Sequence, residues 1–182
     1  MKIAVISDLH GNLPIYPSKY WEGIEECELL LICGDILPLS IQSNMPRSRD
    51  WLIEEFKPWA ASLPVEQVYF VAGNHDEDKV VYKLYDYDNI YSVNKLLQVT
   101  VEGDEECPNQ ELTLCHFPMI DWYNKERGAW MIHGHQHQLP HMTSCSTAHW
   151  DIGLDRNNMF PVSFEQLKIN ITKQFVNNEN KN

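Results

Sequence analysis

Five short stretches of this chain carry residue types that could do chemistry together: Ser7-Asp8-Leu9-His10-Gly11-Asn12, Gly34-Asp35, Gly73-Asn74-His75-Asp76, His116 and Gly134-His135-Gln136-His137. Carboxylate, imidazole and amide oxygen are the donor groups that hold manganese, iron, nickel, cobalt or zinc. Asp8 and His10 are two residues apart, and so are His135 and His137. On an extended segment that spacing sends both side chains the same way. Asp35 follows a glycine, which gives the backbone freedom of a strand-to-loop turn and suits a carboxylate that bridges two cations. Two cations roughly 3.5–4 Å apart clamp both sides of an in-line displacement at phosphorus and acidify a bound water. The expected reaction is therefore hydrolysis of a phosphate mono- or diester by a hydroxide that bridges the metals. His75 stands beside Asn74 and is the candidate acid for the leaving group, with Asp76 as the group that orients or charge-stabilises its imidazole. Asn12 reads either as a contact to a substrate phosphate or as a turn residue.

The elements that must position these residues are legible as well. The apolar runs Ile3–Ile6, Leu29–Cys33, Val68–Val71, Leu112–Cys115 and Ala129–Ile132 read as buried strands. Each stops abruptly at one of the chemical stretches. Functional groups gather at the carboxyl ends of strands in open α/β sheets, so strand ends facing one edge would bring these side chains together. Between the runs, Ile15–Glu26, Arg47–Ala61, Asp78–Tyr85 and Ile120–Glu126 read as helices. Ile90–Val101 and His149–Leu154 read as further strands, and Ser163 with Gln166 has the spacing of a capping box. Strands alternating with helices give the α/β class.

With 182 residues, 43% of them apolar, the chain suits a single globular domain over residues 1–176; the polar end from Asn177 reads as a flexible tail over 177–182. No stretch approaches the roughly 20 apolar residues of a membrane span, and the N-terminus lacks the pattern of a signal peptide. The expectation is a cytoplasmic protein with no membrane contact. A formal charge of −12 disfavours long nucleic acid and leaves a small phosphorylated molecule as the expected partner. The five cysteines show no Cys-x-x-Cys pair, which argues against a disulfide framework or a cysteine zinc site.

Taken in order, Asp-x-His, Gly-Asp, Gly-Asn-His-Asp, a lone histidine and Gly-His-x-His resemble the calcineurin-like metallophosphoesterase superfamily. The segments Asp151–Asp155 and Pro161–Ser163 look like the closing strand and last turn of its small bacterial and phage members. The resemblance implies two packed mixed β-sheets flanked by helices, a four-layer αββα sandwich. It implies that Asp8, His10, Asp35 and His137 bind one metal and that Asp35, Asn74, His116 and His135 bind the other. Asp35 bridges, and His75 is the leaving-group acid. The implied cofactors are two divalent cations, manganese first, with iron, nickel, zinc or cobalt as alternatives.

Other polar residues have plainer readings. His133, His141 and His149 read as packing or surface groups, and Arg47, Arg49 and Arg127 as solvated positions. Trp51, Phe56 and Trp59 read as the core face of a helix, and Tyr82, Tyr85, Tyr87 and Tyr91 read equally as a wall of the active-site cleft or as packing between layers. Two competing functions stand beside the hydrolase: a silent scaffold with the same fold, and a structural-metal protein.

Overall fold

Four apolar residues in a row, with none to turn toward water, make a strand covered on both faces. Ile3–Ile6 is that strand, β1, and every residue in it is buried. The structure is a computed structural model that describes residues 2–15, 27–76, 90–93, 95–102, 109–137 and 148–179. Its other strands are β2 (Leu29–Cys33), β3 (Gln67–Val71), β4 (Ile90–Val93), β5 (Leu97–Glu102), β6 (Asn109–Leu114), β7 (Trp130–His133), β8 (His149–Asp151) and β9 (Val162–Ser163). They form two mixed sheets, in the orders β4-β3-β2-β1-β9 and β5-β6-β7-β8. In the first, β1 to β4 are parallel and β9 is antiparallel. In the second, β5 is antiparallel to β6, and β6, β7 and β8 are parallel. The α/β class and the paired mixed sheets are as the sequence implies.

Alternation along the first sheet sorts its side chains into two cores. Ala4, Ile6, Leu30, Ile32, Val68 and Phe70 meet Leu52, Phe56, Trp59 and Ala60 of a helical layer. Ile3, Val5, Leu29, Leu31 and Val71 turn the other way and meet Leu112, Leu114, Met131 and Ile132 of the second sheet. The helical layer is α1 (Met45–Trp51), a π turn (Leu52–Phe56) and α2 (Lys57–Ser62), with no break between them. Asn44 caps it by accepting from the Arg47 N–H at 3.2 Å. Pro58 has no N–H to donate and its ring crowds the preceding turn; the helix widens there, and the Lys57 N–H reaches back to the Leu52 carbonyl. The last helix, α3 (Phe164–Glu179), packs on β1, β8 and β9 along the edge the sheets share. Ser163 Oγ accepts from the Gln166 N–H at 3.2 Å, half of the expected capping box.

Several expected elements fall differently. Ile90–Val101 is two strands in two sheets. β3 ends at Val71, opposite Val93, so a longer β4 would have no partner, and the chain crosses to pair with β6. Ile120–Glu126 is not a helix: Asn124 adopts a left-handed φ of 57°, and only a 3₁₀ turn forms, at Lys125–Arg127. The strand at His149 stops at Asp151, and Leu154 opens a second 3₁₀ turn, Leu154–Arg156. The last helix runs to Glu179, past the start of the expected tail. The expected helices over 15–26 and 78–85, and Tyr82, Tyr85, Tyr87 and His141, lie outside the described residues, apart from Ile15 itself. Among the described residues no helix is long and apolar enough to cross a membrane.

Phe56 is fully buried against β1, β2 and β3, with Trp59 at 5.6 Å between ring centroids. Phe56→Ala should lower unfolding stability by about 3–5 kcal/mol, measured as a shift of the urea midpoint at constant slope.

Candidate metal centre

Beyond the carboxyl ends of the strands, the loops remain stitched together. Asp8 N–H donates to Gly34 O at 3.1 Å and His10 N–H to Asp35 O at 2.9 Å, which carries the β1–β2 pairing past both strands. Gly134 N–H donates to His116 O at 3.1 Å, doing the same for β6 and β7. Ser7 joins the two sheets: its N–H donates to Ile152 O at 3.2 Å, its carbonyl accepts from Leu154 N–H at 3.0 Å, and its hydroxyl donates to Cys33 O at 2.7 Å.

These loops bring the expected residues together. Asp8, His10 and His137 form one group whose donor atoms all lie within 4.8 Å of one another, and Asp8, Asp35 and His116 form a second. Both carboxylates are central. Asp35 Oδ2 lies 3.1 Å from His116 Nε2, 3.9 Å from His10 Nε2 and 4.0 Å from His75 Nε2. His137 Nε2 is 3.7 Å from Asp8 Oδ1. Asn74 joins through its Oδ1, 3.0 Å from His116 Nε2. His135 donates its N–H to both Asp8 oxygens, at 3.2 and 3.1 Å, and its ring lies edge-on to His116. Asn12 is exposed, and its N–H closes a turn on Leu9 O.

The spacing of two works by a different geometry from the one expected. Neither Asp8–His10 nor His135–His137 is extended: their φ values are 56° and 44°, and 71° and 49°. Asp35, at 56°, is left-handed too. Non-glycine residues in that region are strained. Of the eight found among the described residues, five are expected ligands, and strain of this kind clusters at functional sites.

The motif glycines explain how the groups come so close. A Cβ on Gly73 would sit 2.0 Å from Asp35 Oδ1, one on Gly34 2.5 Å from His116 Nδ1, and one on Gly134 2.3 Å from Asp8 Oδ2. Each glycine therefore makes room for a donor belonging to a different motif.

The donor set fits a cation. His116 Nδ1–H donates to Cys33 O at 2.8 Å. The neutral imidazole then turns its Nε2 lone pair on Asp35 Oδ2 and Asn74 Oδ1, two more acceptors. Three facing acceptors, two of them on buried side chains, need a proton or a metal ion among them. Burial pushes the His116 imidazole down, but the bond and charge of Asp35 outweigh it and raise its pKa. Burial likewise pushes Asp35 up, and the His116 bond and charge bring it below its ordinary value. Burial raises Asp8. Burial lowers His10 and His135, favouring the neutral form that a metal requires.

The calcineurin-like phosphoesterase family model matches residues 1–139, and the chain belongs to that family. No curated protein matches it.

Some functional positions escape sequence reasoning. His75 Nδ1 is bonded to Gln42 Oε1, not to Asp76. The carboxylate of Asp76 instead accepts from the N–H groups of Asp35 (2.7 Å), Gly73 (2.8 Å), Ile36 (3.0 Å) and Leu37 (3.3 Å), holding the Asp35 loop in shape. Burial pushes this carboxyl up to about 6. The only sequence signal for Asp76 is its place in Gly-Asn-His-Asp, and Gln42 has none. His133 and His149 are buried against each other with ring nitrogens 3.3 Å apart, consistent with the packing reading.

Gly73→Ala should displace Asp35, lowering stability by about 1–3 kcal/mol and weakening manganese uptake in calorimetric titration. Gly128 is the control. It has a φ of 90°, but nothing lies within 4 Å of an added Cβ, so Gly128→Ala should bind manganese as the wild type does.

Proposed function

We propose that this protein hydrolyses phosphate mono- or diesters of small molecules, using two divalent cations, manganese first among them. Asp8, His10, Asp35 and His137 would hold one, and Asp35, Asn74, His116 and His135 the other. When bound, the pair supplies positive charge to the phosphate oxygens and acidifies water. The observation that supports this reading most is the convergence of His10 and His116 Nε2 on Asp35 Oδ2, with Asn74 Oδ1 on the same His116 nitrogen, backed by family membership.

The protein's own groups do the rest. Asp35 is fixed by the His75 N–H, which donates to its Oδ1 at 2.8 Å. Gln42 holds the Nδ1 side of the His75 ring, leaving Nε2 on the side of the site, 4.0 Å from Asp35 Oδ2. From there Nε2–H can donate its proton to the departing alkoxide. Asn12, exposed on the first loop, is the candidate contact to a substrate phosphate oxygen. The surplus of acidic residues favours a small substrate over a polyanion.

The test is the manganese-loaded protein assayed on nitrophenyl and alkyl phosphates, with a chelated control. Nitrophenolate leaves without a proton, whereas an alkoxide does not. His75→Ala should therefore cost about 10²–10⁴-fold in kcat on alkyl esters and much less on nitrophenyl esters. Equal losses on both would remove His75 from the acid role. No turnover of any ester by the loaded wild type would favour the scaffold reading.

A further inference from the structure

Two imidazoles of the site are held the same way, whereas the buried Nδ1 of His10 has no hydrogen-bond partner among the described residues. Nδ1 of His116 is tied to the Cys33 carbonyl and Nδ1 of His75 to the Gln42 amide, which leaves each Nε2 to face the carboxylates. His137 follows the same pattern, but its partner lies beyond the family match. Its Nδ1 is 3.2 Å from Asp155 Oδ2, and the match ends at residue 139.

Asp155 is well placed to hold this ring. It lies in the 3₁₀ turn Leu154–Arg156, whose ends are pinned. Leu154 N–H donates to Ser7 O at 3.0 Å, and Asn157 Nδ2 donates to Asp151 O at 3.1 Å and Gly153 O at 2.9 Å. The next residue grips the same histidine from its other end: Arg156 Nη1 donates to His137 O at 2.7 Å, while its Nε lies 3.6 Å from Asp151 Oδ2. His137 needs such support, because its φ of 49° is strained and its side chain is 42% exposed, against 1% for His116. Gly153 lets the turn come close: a Cβ there would lie 2.9 Å from Asp8 Oδ2 and 3.1 Å from Asp155 Oδ1. The turn thus stands against Asp8 and His137 at once.

We infer that Asp155 is a positioning residue of the metal centre: it accepts the Nδ1–H of His137, fixes that tautomer and aims Nε2 at the cation beside Asp8. A carboxylate behind a metal-binding imidazole sets the ring's orientation and raises its basicity. The inference rests on the dinuclear reading above and extends it to a residue outside the matched region.

The test uses the full chain, stripped of metal and titrated with manganese by calorimetry, in wild type, Asp155→Ala and Asp155→Asn. Asp155→Ala should weaken one of two binding events by about 10–100-fold and leave the other unchanged. Asp155→Asn, which keeps an acceptor oxygen, should fall between the two. Nitrogen-detected NMR of the metal-free wild type should show the His137 proton on Nδ1, and Asp155→Ala should shift it toward Nε2. This readout is independent of metal, and a merely structural role would not move it. Wild type that binds two manganese ions, with Asp155→Ala binding both equally well, overturns the role of Asp155 alone. Wild type that binds none overturns the reading of the site and this inference with it. Should Asp155→Ala fail to fold, Asp155→Asn decides by the same two readouts: unchanged affinity together with a wild-type proton distribution would overturn the role, and a weakened event would support it.

Discussion

Two carboxylates, Asp8 and Asp35, lie 4% and 1% exposed at the meeting point of two sheets. Burying an ionised carboxylate is expensive unless a positive partner stands beside it. No lysine or arginine supplies that partner to Asp35 among the described residues; imidazoles surround it instead, at 3.1 to 4.0 Å. That choice constrains the rest. Imidazoles can carry a proton beside a carboxylate or give it up to bind a metal ion. The same groups can therefore hold the fold together and serve as a ligand cage.

The sheets supply rigidity, and the loops absorb the strain. Left-handed backbone at Asp8, His10, Asp35, His135 and His137 follows directly on strands that are buried along their whole length. Such conformations persist only where the surroundings over-determine them. Here the surroundings are named groups: Asp76 with four backbone N–H donors, Ser7 across both sheets, and glycines that admit a neighbour's donor atom.

Much of this was legible in the sequence because strand cores are written as apolar runs that end on polar ligands. Ile3–Ile6 and Leu29–Cys33 needed no other signal, and the motif order led to the family. What could not be read depends on contacts between distant segments. Nothing near Gln42 indicates that it meets His75, and nothing near Asp155 indicates that it meets His137. The spacing of Asp8 and His10 suits an extended pair, and periodicity alone does not report the left-handed backbone that both residues adopt. The apolar stretch at Ile90–Val101 gave the right residues but not the change of sheet. Pairing is decided by where β3 ends, which no local pattern contains.

The proposed pair of cations around Asp35 can be seen by anomalous scattering from crystals grown with manganese. Two peaks are predicted, roughly 3.5–4 Å apart, with an Asp35 oxygen about 2 Å from each. A single peak, or a second peak with no contact to Asp35, would rule out a cation pair bridged by Asp35.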